Sequence, residues 1–407
     1  MNILMVSDVY FPRVNGVSTS IETFRRSLHQ QGVRSTLIAP AYPGGGADDD
    51  GVLRIPSRFV PLDPEDRMMR SGHIAARADE LAGEGFDLIH IHTPFVAHYA
   101  GLALARKLRL PCVATYHTFF EEYLFHYVPT LPRSWLRALA RRFSRTQCNA
   151  LHAVIVPSRA MAAALLDYGV ERPLEILPTG IPPDQFQGGD GRFFRSRYEI
   201  PADARLLLFV GRVAHEKNIG FLIEMIDHLR HTEPRALLLI TGEGPALATL
   251  RNAVAQRGLE RHVRFLGYLD RHSELHDCYR AADLFVFASR TETQGLVLLE
   301  AMALGTPVVA LAQMGTCDIL EGETGCRIGP DDPAAFAALV ASLLSRPELL
   351  ERLAEEARQR ARHWHADDIA ARLVRLYARW IDASGSPRRV PELTAGSAGR
   401  RRLTSRS

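Results

Sequence analysis

No run in this sequence reaches the ~18 consecutive apolar residues of a membrane-spanning helix, so nothing in it reads as a span. Paired cysteines are missing as well. The five present, Cys112, Cys148, Cys278, Cys317 and Cys326, are scattered and odd in number, with no Cys-x-x-Cys and no zinc spacing. They read as reduced cytosolic thiols and exclude a disulfide scaffold. Charge of one sign is not in excess, and a net +3 implies no nucleic-acid partner. The N-terminus runs straight into an apolar stretch, Asn2 to Val6, with no basic n-region or cleavage site, so no signal peptide is expected.

What is present points to soluble α/β architecture. Apolar residues at 46% and charged residues at 23% are ordinary for a globular chain, and 407 residues suit two cores rather than one. Short apolar runs alternate with helical patterns. In the first half they lie at Asn2 to Val6, Ser35 to Ala39, Asp87 to Ile91, Cys112 to Tyr116 and Ala153 to Val156, with a helix expected from Ile21 to Gln30. A Pro/Gly cluster at 178–183 and a polar stretch at 187–192 read as a linker. A second series follows at Leu206 to Val210, Ala236 to Thr241, His262 to Leu266, Asp283 to Phe287 and Pro307 to Ala310. Such alternation predicts parallel sheets with helices on both faces. The expected fold class is α/β, with two doubly wound Rossmann-like domains facing each other across a cleft. They cover 1–182 and 183–364. A helix over 365–383 crosses back to the first, and 384–407 form a disordered basic tail.

Ligands bind at the carboxyl ends of strands in such folds, so the loops there carry the chemistry. Residues 288–305 pass from a strand through a polar turn into a helix near Gly295. The free N–H groups of Gly295, Leu296 and Val297, with the helix dipole, suit a phosphate. Glu292 in the turn and Glu300, two turns into the helix, are placed to accept hydrogen bonds from sugar hydroxyls. The plain alternative is a strand–turn–helix with surface acids. Arg212 and Lys217 follow Leu206 to Val210, and a guanidinium fork with a mobile ammonium suits a diphosphate. Gly242 and Gly244 permit tight turns, and Gly16 permits close backbone approach. His117 ends another strand at the cleft mouth, where an imidazole can bond a hydroxyl. His90 and His92 share one face of their strand, but no acidic residue stands at ligand spacing, so no metal site is expected.

Taken together, Gly16, Gly211-Arg212-x4-Lys217, Gly242-x-Gly244 and Glu292-x7-Glu300 resemble retaining glycosyltransferases of family 4, of the GT-B fold, over residues 1 to about 380. The segment Ser7 to Ser20 and the block Tyr116-His117-Thr118-Phe119 look like bacterial diacylglycerol glycosyltransferases and phosphatidylinositol-type mannosyltransferases. The resemblance implies a nucleotide-sugar donor held mainly by the second domain. Arg212 and Lys217 would hold its diphosphate, Glu292 the sugar hydroxyls and Glu300 the ribose. The backbone from Gly295 to Val297 would touch sugar and phosphate, His117 would face the reacting sugar, and Gly16 would approach the diphosphate. Transfer with retention and without a metal is also implied. No Asp-x-Asp lies in a plausible site, and Asp48-Asp49-Asp50 reads as a solvated loop.

The acceptor should lie with the first domain. Phe119 and Tyr123 open an aromatic-rich stretch, and Pro132 suits the start of a helix. On that helix Trp135, Leu139 and Phe143 share a face, beside a stripe of Arg133, Arg137 and Arg141. A basic helix with large apolar residues reads as an element lying on anionic lipid, and the alternative is a core helix with a solvated basic face. The expectation is transfer from a UDP-sugar to diacylglycerol by a peripheral protein on the cytoplasmic face of the membrane, with no obligate protein partner. Transfer to polysaccharide or lipopolysaccharide, a GDP-mannose donor, an epimerase and a non-catalytic binding protein on the same scaffold stand as alternatives.

Overall fold

The computed structural model describes residues 1–43, 51–60, 63–119, 132–271 and 273–385. Asp48 to Asp50, Tyr123 and the tail from 386 onward lie outside them. The first half of the chain supplies β1 (Asn2–Val6), β2 (Arg34–Pro40) and β3 (Val52–Ile55), then β4 (Ser57–Val60) and β5 (Asp63–Met69). After these come β6 (Leu88–Ile91), β7 (Cys112–Thr115), β8 (Ala153–Val156) and β9 (Leu174–Ile176). Seven of them form a parallel sheet in the order β3-β2-β1-β6-β7-β8-β9, while β4 and β5 pair as an antiparallel hairpin. The second half supplies β10 (Arg205–Val210), β11 (Ala236–Thr241), β12 (Val263–Gly267), β13 (Leu284–Phe287), β14 (Val308–Ala310) and β15 (Cys326–Ile328). These form a second parallel sheet, β12-β11-β10-β13-β14-β15.

Both sheets change direction next to their first strand. Chain order runs outward from β1 through β2 on one side and through β6 on the other, and likewise from β10 through β11 and β13. A crevice opens at such a reversal, because the flanking connections leave on opposite faces. The loops after β1, β6, β10 and β13 therefore bound the candidate site. Strands buried on both faces read as unbroken apolar runs, and Leu206 to Phe209 have no exposed surface at all.

The structure corrects several boundaries. The first helix begins at Gly16, not Ile21, and runs to Gln30. The Asn15 side chain caps it, accepting from the Ser18 N–H at 2.8 Å. Gly16 is thus a helical residue rather than a loop glycine. A helix at Gly191–Arg197 starts inside the stretch expected to be linker. The chain crosses between the halves at Ile181 and again at His365, and the two crossings bond each other: Ile181 N donates to Trp364 O at 2.7 Å and Ala366 N to Ile181 O at 3.1 Å. Gly180 is needed there, since a Cβ would sit 2.4 Å from Ala366 Cα.

The last described helix, Ala366–Ala383, lies on the first sheet. Ile369, Leu373, Tyr377, Trp380 and Ile381 recur at helical spacing and share a core with Ile3, Met5, Leu88 and Val113. Each large side chain buried in this way contributes roughly 1.5–3 kcal/mol. No single helix among the described residues is long and apolar enough to cross a membrane.

Candidate active site

On the second-domain wall, the loop after β10 folds into a 3-10 turn, His215–Lys217, closed by Asn218 in the left-handed region at φ 54°. The Asn218 amide donates to Ala288 O at 3.1 Å and ties this loop to the end of β13. Lys217 is thereby brought against the following turn, where its Nζ lies 2.5 Å from Glu292 Oε2. Arg212 stands half-buried in the same loop. The turn is held from below, because Gly315 N donates to Glu292 O at 2.8 Å. Gly295 takes φ 96° and starts the helix Leu296–Ala303. Its first N–H groups, at Leu296 and Val297, stand at the carboxyl edge of the sheet as expected.

Glu300 lies about one turn into this helix rather than two, because the helix starts at Leu296. Its carboxylate is 2% exposed and already engaged. Arg271 donates to Oε1, and the Tyr279 hydroxyl donates to Oε2 at 3.0 Å. Burial and the Glu300 charge push the Tyr279 phenol well above its ordinary range, so it stays a donor. A carboxylate has about four lone-pair sites, so both oxygens retain capacity for a further donor.

Gly242 and Gly244 take φ of 117° and 155°, as tight turns require, and their missing side chains also serve packing. A Cβ at Gly242 would lie 2.0 Å from Gly211 O, and one at Gly244 would lie 2.5 Å from Val213 O. These glycines let one loop pack against the loop after β10. Gly16 is the contrary case: among the described residues, nothing lies within 4 Å of where its Cβ would be.

The first-domain wall is built on buried polar contacts. Asp8, just past β1, accepts from Ala97 N at 3.0 Å and from the Thr93 hydroxyl at 2.8 Å. Burial pushes its carboxyl up to about 6. It locks the loop after β6 to the loop after β1. His117, past β7, comes close to His92, with 3.3 Å between His117 Nε2 and His92 Nδ1. The His117 carbonyl accepts from the Thr293 hydroxyl at 3.0 Å, across the cleft. The neighbouring Gln294 amide makes two bonds to the Thr179 backbone, at 2.8 and 2.7 Å. His117, Thr293, Glu292 and Lys217 are therefore gathered in one place. No group of three His, Cys, Asp or Glu side chains among the described residues could hold a metal ion.

The arginine-rich helix, Arg133–Asn149, starts just after Pro132, as its sequence suggests. Its inward side is Leu136, Ala140 and Ser144, and the Ser144 hydroxyl lies 2.7 Å from that of Tyr116, next to His117. The other large apolar residues do not face the core. Trp135 is 72% exposed, Leu139 57%, and Phe143 is half-buried. Arg137 is exposed, and Arg141 pairs with Asp167 at 3.0 Å with its guanidinium over the Tyr168 ring. Phe119 packs against the first-domain core.

Arg271, Tyr279, Thr293 and Gln294 carry parts of the site that the sequence reading missed. Thr293 and Gln294 lie inside the Glu292-x7-Glu300 stretch, and Arg271 follows a strand end, so position alone could have raised them.

Two facing doubly wound domains, with cations and carboxylates meeting at their carboxyl edges, define the GT-B class. Comparison with known proteins agrees with that geometry. Residues 14–185 match the family model described as Glycosyltransferase Family 4, and residues 190–360 match Glycosyl transferases group 1. An alpha-monoglucosyldiacylglycerol synthase of Streptococcus pneumoniae is 30% identical over 88% of this chain and 81% of its own. Another, from Acholeplasma laidlawii, is 26% identical over 94% and 98%. The solved sucrose-phosphate synthase of Thermosynechococcus elongatus superposes with a TM-score of 0.76 at 21% identity, covering 94% of this chain and 99% of that one. The chain belongs to glycosyltransferase family 4 and is a glycosyltransferase.

Proposed function

We propose that this glycosyltransferase moves a hexose from a UDP-sugar to diacylglycerol at an anionic membrane surface, with retention and without a metal. The observation that carries the acceptor is the exposed Trp135 and Leu139 on an arginine-rich helix anchored beside His117. A core helix would bury that stripe, whereas a helix lying on lipid needs it outward. The names of the two diacylglycerol relatives support the same acceptor.

Donor binding exchanges partners. The diphosphate takes Lys217 and Arg212, which frees Glu292 for sugar hydroxyls. Glu300 accepts from the ribose with its remaining lone pairs. Gly16 offers backbone where a side chain would intrude on the diphosphate. As the anomeric bond breaks, negative charge grows on the leaving diphosphate. Once the donor is bound, Lys217, Arg212 and the N–H groups at the helix start meet that charge, so little reorganisation is needed in the reaction step. The contact between Thr293 and His117 spans the cleft and helps to exclude water, which limits hydrolysis of the donor.

Removing one such stabilising group costs about 10²–10³ in turnover. Lys217→Ala is expected to lower kcat by at least that factor while the folded structure survives, since Lys217 is near the surface. Turnover within tenfold of wild type, measured as UDP release with lipid present, would contradict this reading.

A further inference from the structure

His117 does not stand alone. Its Nε2 lies 3.3 Å from His92 Nδ1, with the two rings stacked at 5.6 Å between centroids. His92 in turn touches His90, centroid to centroid 4.1 Å, with the two rings tilted by 36°. His90 is held at both nitrogens, Nδ1 by the Tyr377 hydroxyl at 2.6 Å and Nε2 by the Thr115 hydroxyl at 2.7 Å. Tyr377 belongs to the helix that crosses back from the second domain. Three rings and a phenol thus form a continuous column from that helix, through buried Tyr377, His90 and His92, to half-buried His117 at the cleft.

We propose that His92 is the positioning residue of His117, fixing through its Nδ1 which nitrogen of His117 carries the proton. Burial alone keeps His117 near 4, burial and then the charge of His117 keep His90 near 3, and burial with both neighbouring rings holds His92 well below the ordinary range, so all three are neutral near pH 7. A neutral pair shares one proton across the 3.3 Å contact. If His92 donates, His117 must carry its own proton at Nδ1 and presents a donor away from His92. If His117 donates, it presents an acceptor. Among the described residues His92 Nε2 is buried without a partner. Buried donors left without an acceptor are rarer than under-used acceptors, so the His92 proton belongs at Nδ1. His117 is then the Nδ1–H tautomer and offers an N–H to a sugar hydroxyl. His90, clamped by Tyr377 and Thr115, keeps the His92 ring from tilting out of line.

This inference rests on the reading that His117 faces the donor sugar, and the two are tested separately. Histidine ¹⁵N NMR of the full-length protein, assigned with His117→Gln, is expected to show His117 protonated at Nδ1. His92→Leu is expected to mix the two tautomers and lower kcat about tenfold, the loss of one hydrogen bond in the transition state, with donor KM little changed. His92→Asn places an amide nitrogen near the position of Nδ1 and is expected to restore most of kcat. His92→Gln, whose amide stands nearer the position of Nε2, is expected not to. His117 protonated at Nε2 in the wild type, or equal kcat for the Asn and Gln variants, overturns the proposal even where His92→Leu fails to fold. Full turnover by His117→Ala would instead retire the role of His117 in the reaction and leave the NMR result standing.

Discussion

Serine in place of both Trp135 and Leu139 is the perturbation most informative about the acceptor. A tryptophan carries up to roughly 200 Å² of burial on folding or docking. With 72% of its surface exposed, Trp135 has about 145 Å² to bury, worth about 3.5 kcal/mol at ~25 cal/mol per Å². Leu139, 57% exposed, adds about 1 kcal/mol of the ~2 that full burial of a leucine gives. A helix lying in the interface immerses only one face, so about half of the sum, near 2 kcal/mol, is realised. The double variant should therefore bind vesicles about 30-fold more weakly. Both positions face outward, so the melting temperature should barely move, which separates lost docking from lost folding. The assay is flotation with vesicles of anionic phospholipid and diacylglycerol, read as the fraction of protein in the lipid layer. Partitioning within threefold of wild type would refute the reasoning and return the helix to a merely solvated face.

Charge reversal on the same helix, Arg137→Glu with Arg141→Glu, should weaken flotation further at low salt and lose its effect at high salt, since each basic residue contributes about 1 kcal/mol at an anionic surface. Gly242→Ala should destabilise the fold by about 3 kcal/mol in urea titration, because the new Cβ meets the Gly211 carbonyl and φ is 117°. Gly16→Ala should instead leave stability unchanged or raised and reduce turnover, and wild-type activity there would remove the diphosphate contact assigned to Gly16. Stability should also fall in mild acid. The folded His90, His92 and His117 bind protons less readily than the unfolded chain does, so their contribution is complete above about 6.5 and is lost as pH falls. Each ring costs up to about 1.4 kcal/mol of stability per pH unit below that value, and urea midpoints equal at pH 7 and pH 5 would contradict it.

The two-sheet architecture was legible because parallel strands buried on both faces leave unbroken apolar runs, as at Leu206 to Val210. Strands that lack such runs were missed. At the sheet edge β15 has Arg327 at its centre, and β9 has Glu175. The start of the first helix was hidden by Gly16 to Ser20, residues of low helix propensity, although Asn15 was there to be read as a cap. Loops that carry candidate site residues followed from strand ends alone. What the chain order cannot show is pairing across the fold. Lys217 reaches Glu292 75 residues away, Arg271 covers Glu300 from another loop, and His92 meets His117 through adjacent strands. The close approach of the Gly211 backbone to Gly242 is likewise a contact between loops that chain order does not show. The sequence pattern of the arginine-rich helix fits both of its readings, and the outward placement of Trp135 and Leu139 could not be read from it.

The central claim is sugar transfer from a UDP-sugar to a membrane lipid. It is tested most directly by following UDP release and glycolipid formation with UDP-glucose and vesicles that contain or lack diacylglycerol. The account predicts UDP release that requires diacylglycerol and matches the appearance of a glucosylated lipid mole for mole. UDP release that is indifferent to the lipid, or diacylglycerol left unmodified while a soluble saccharide takes the sugar, would contradict it.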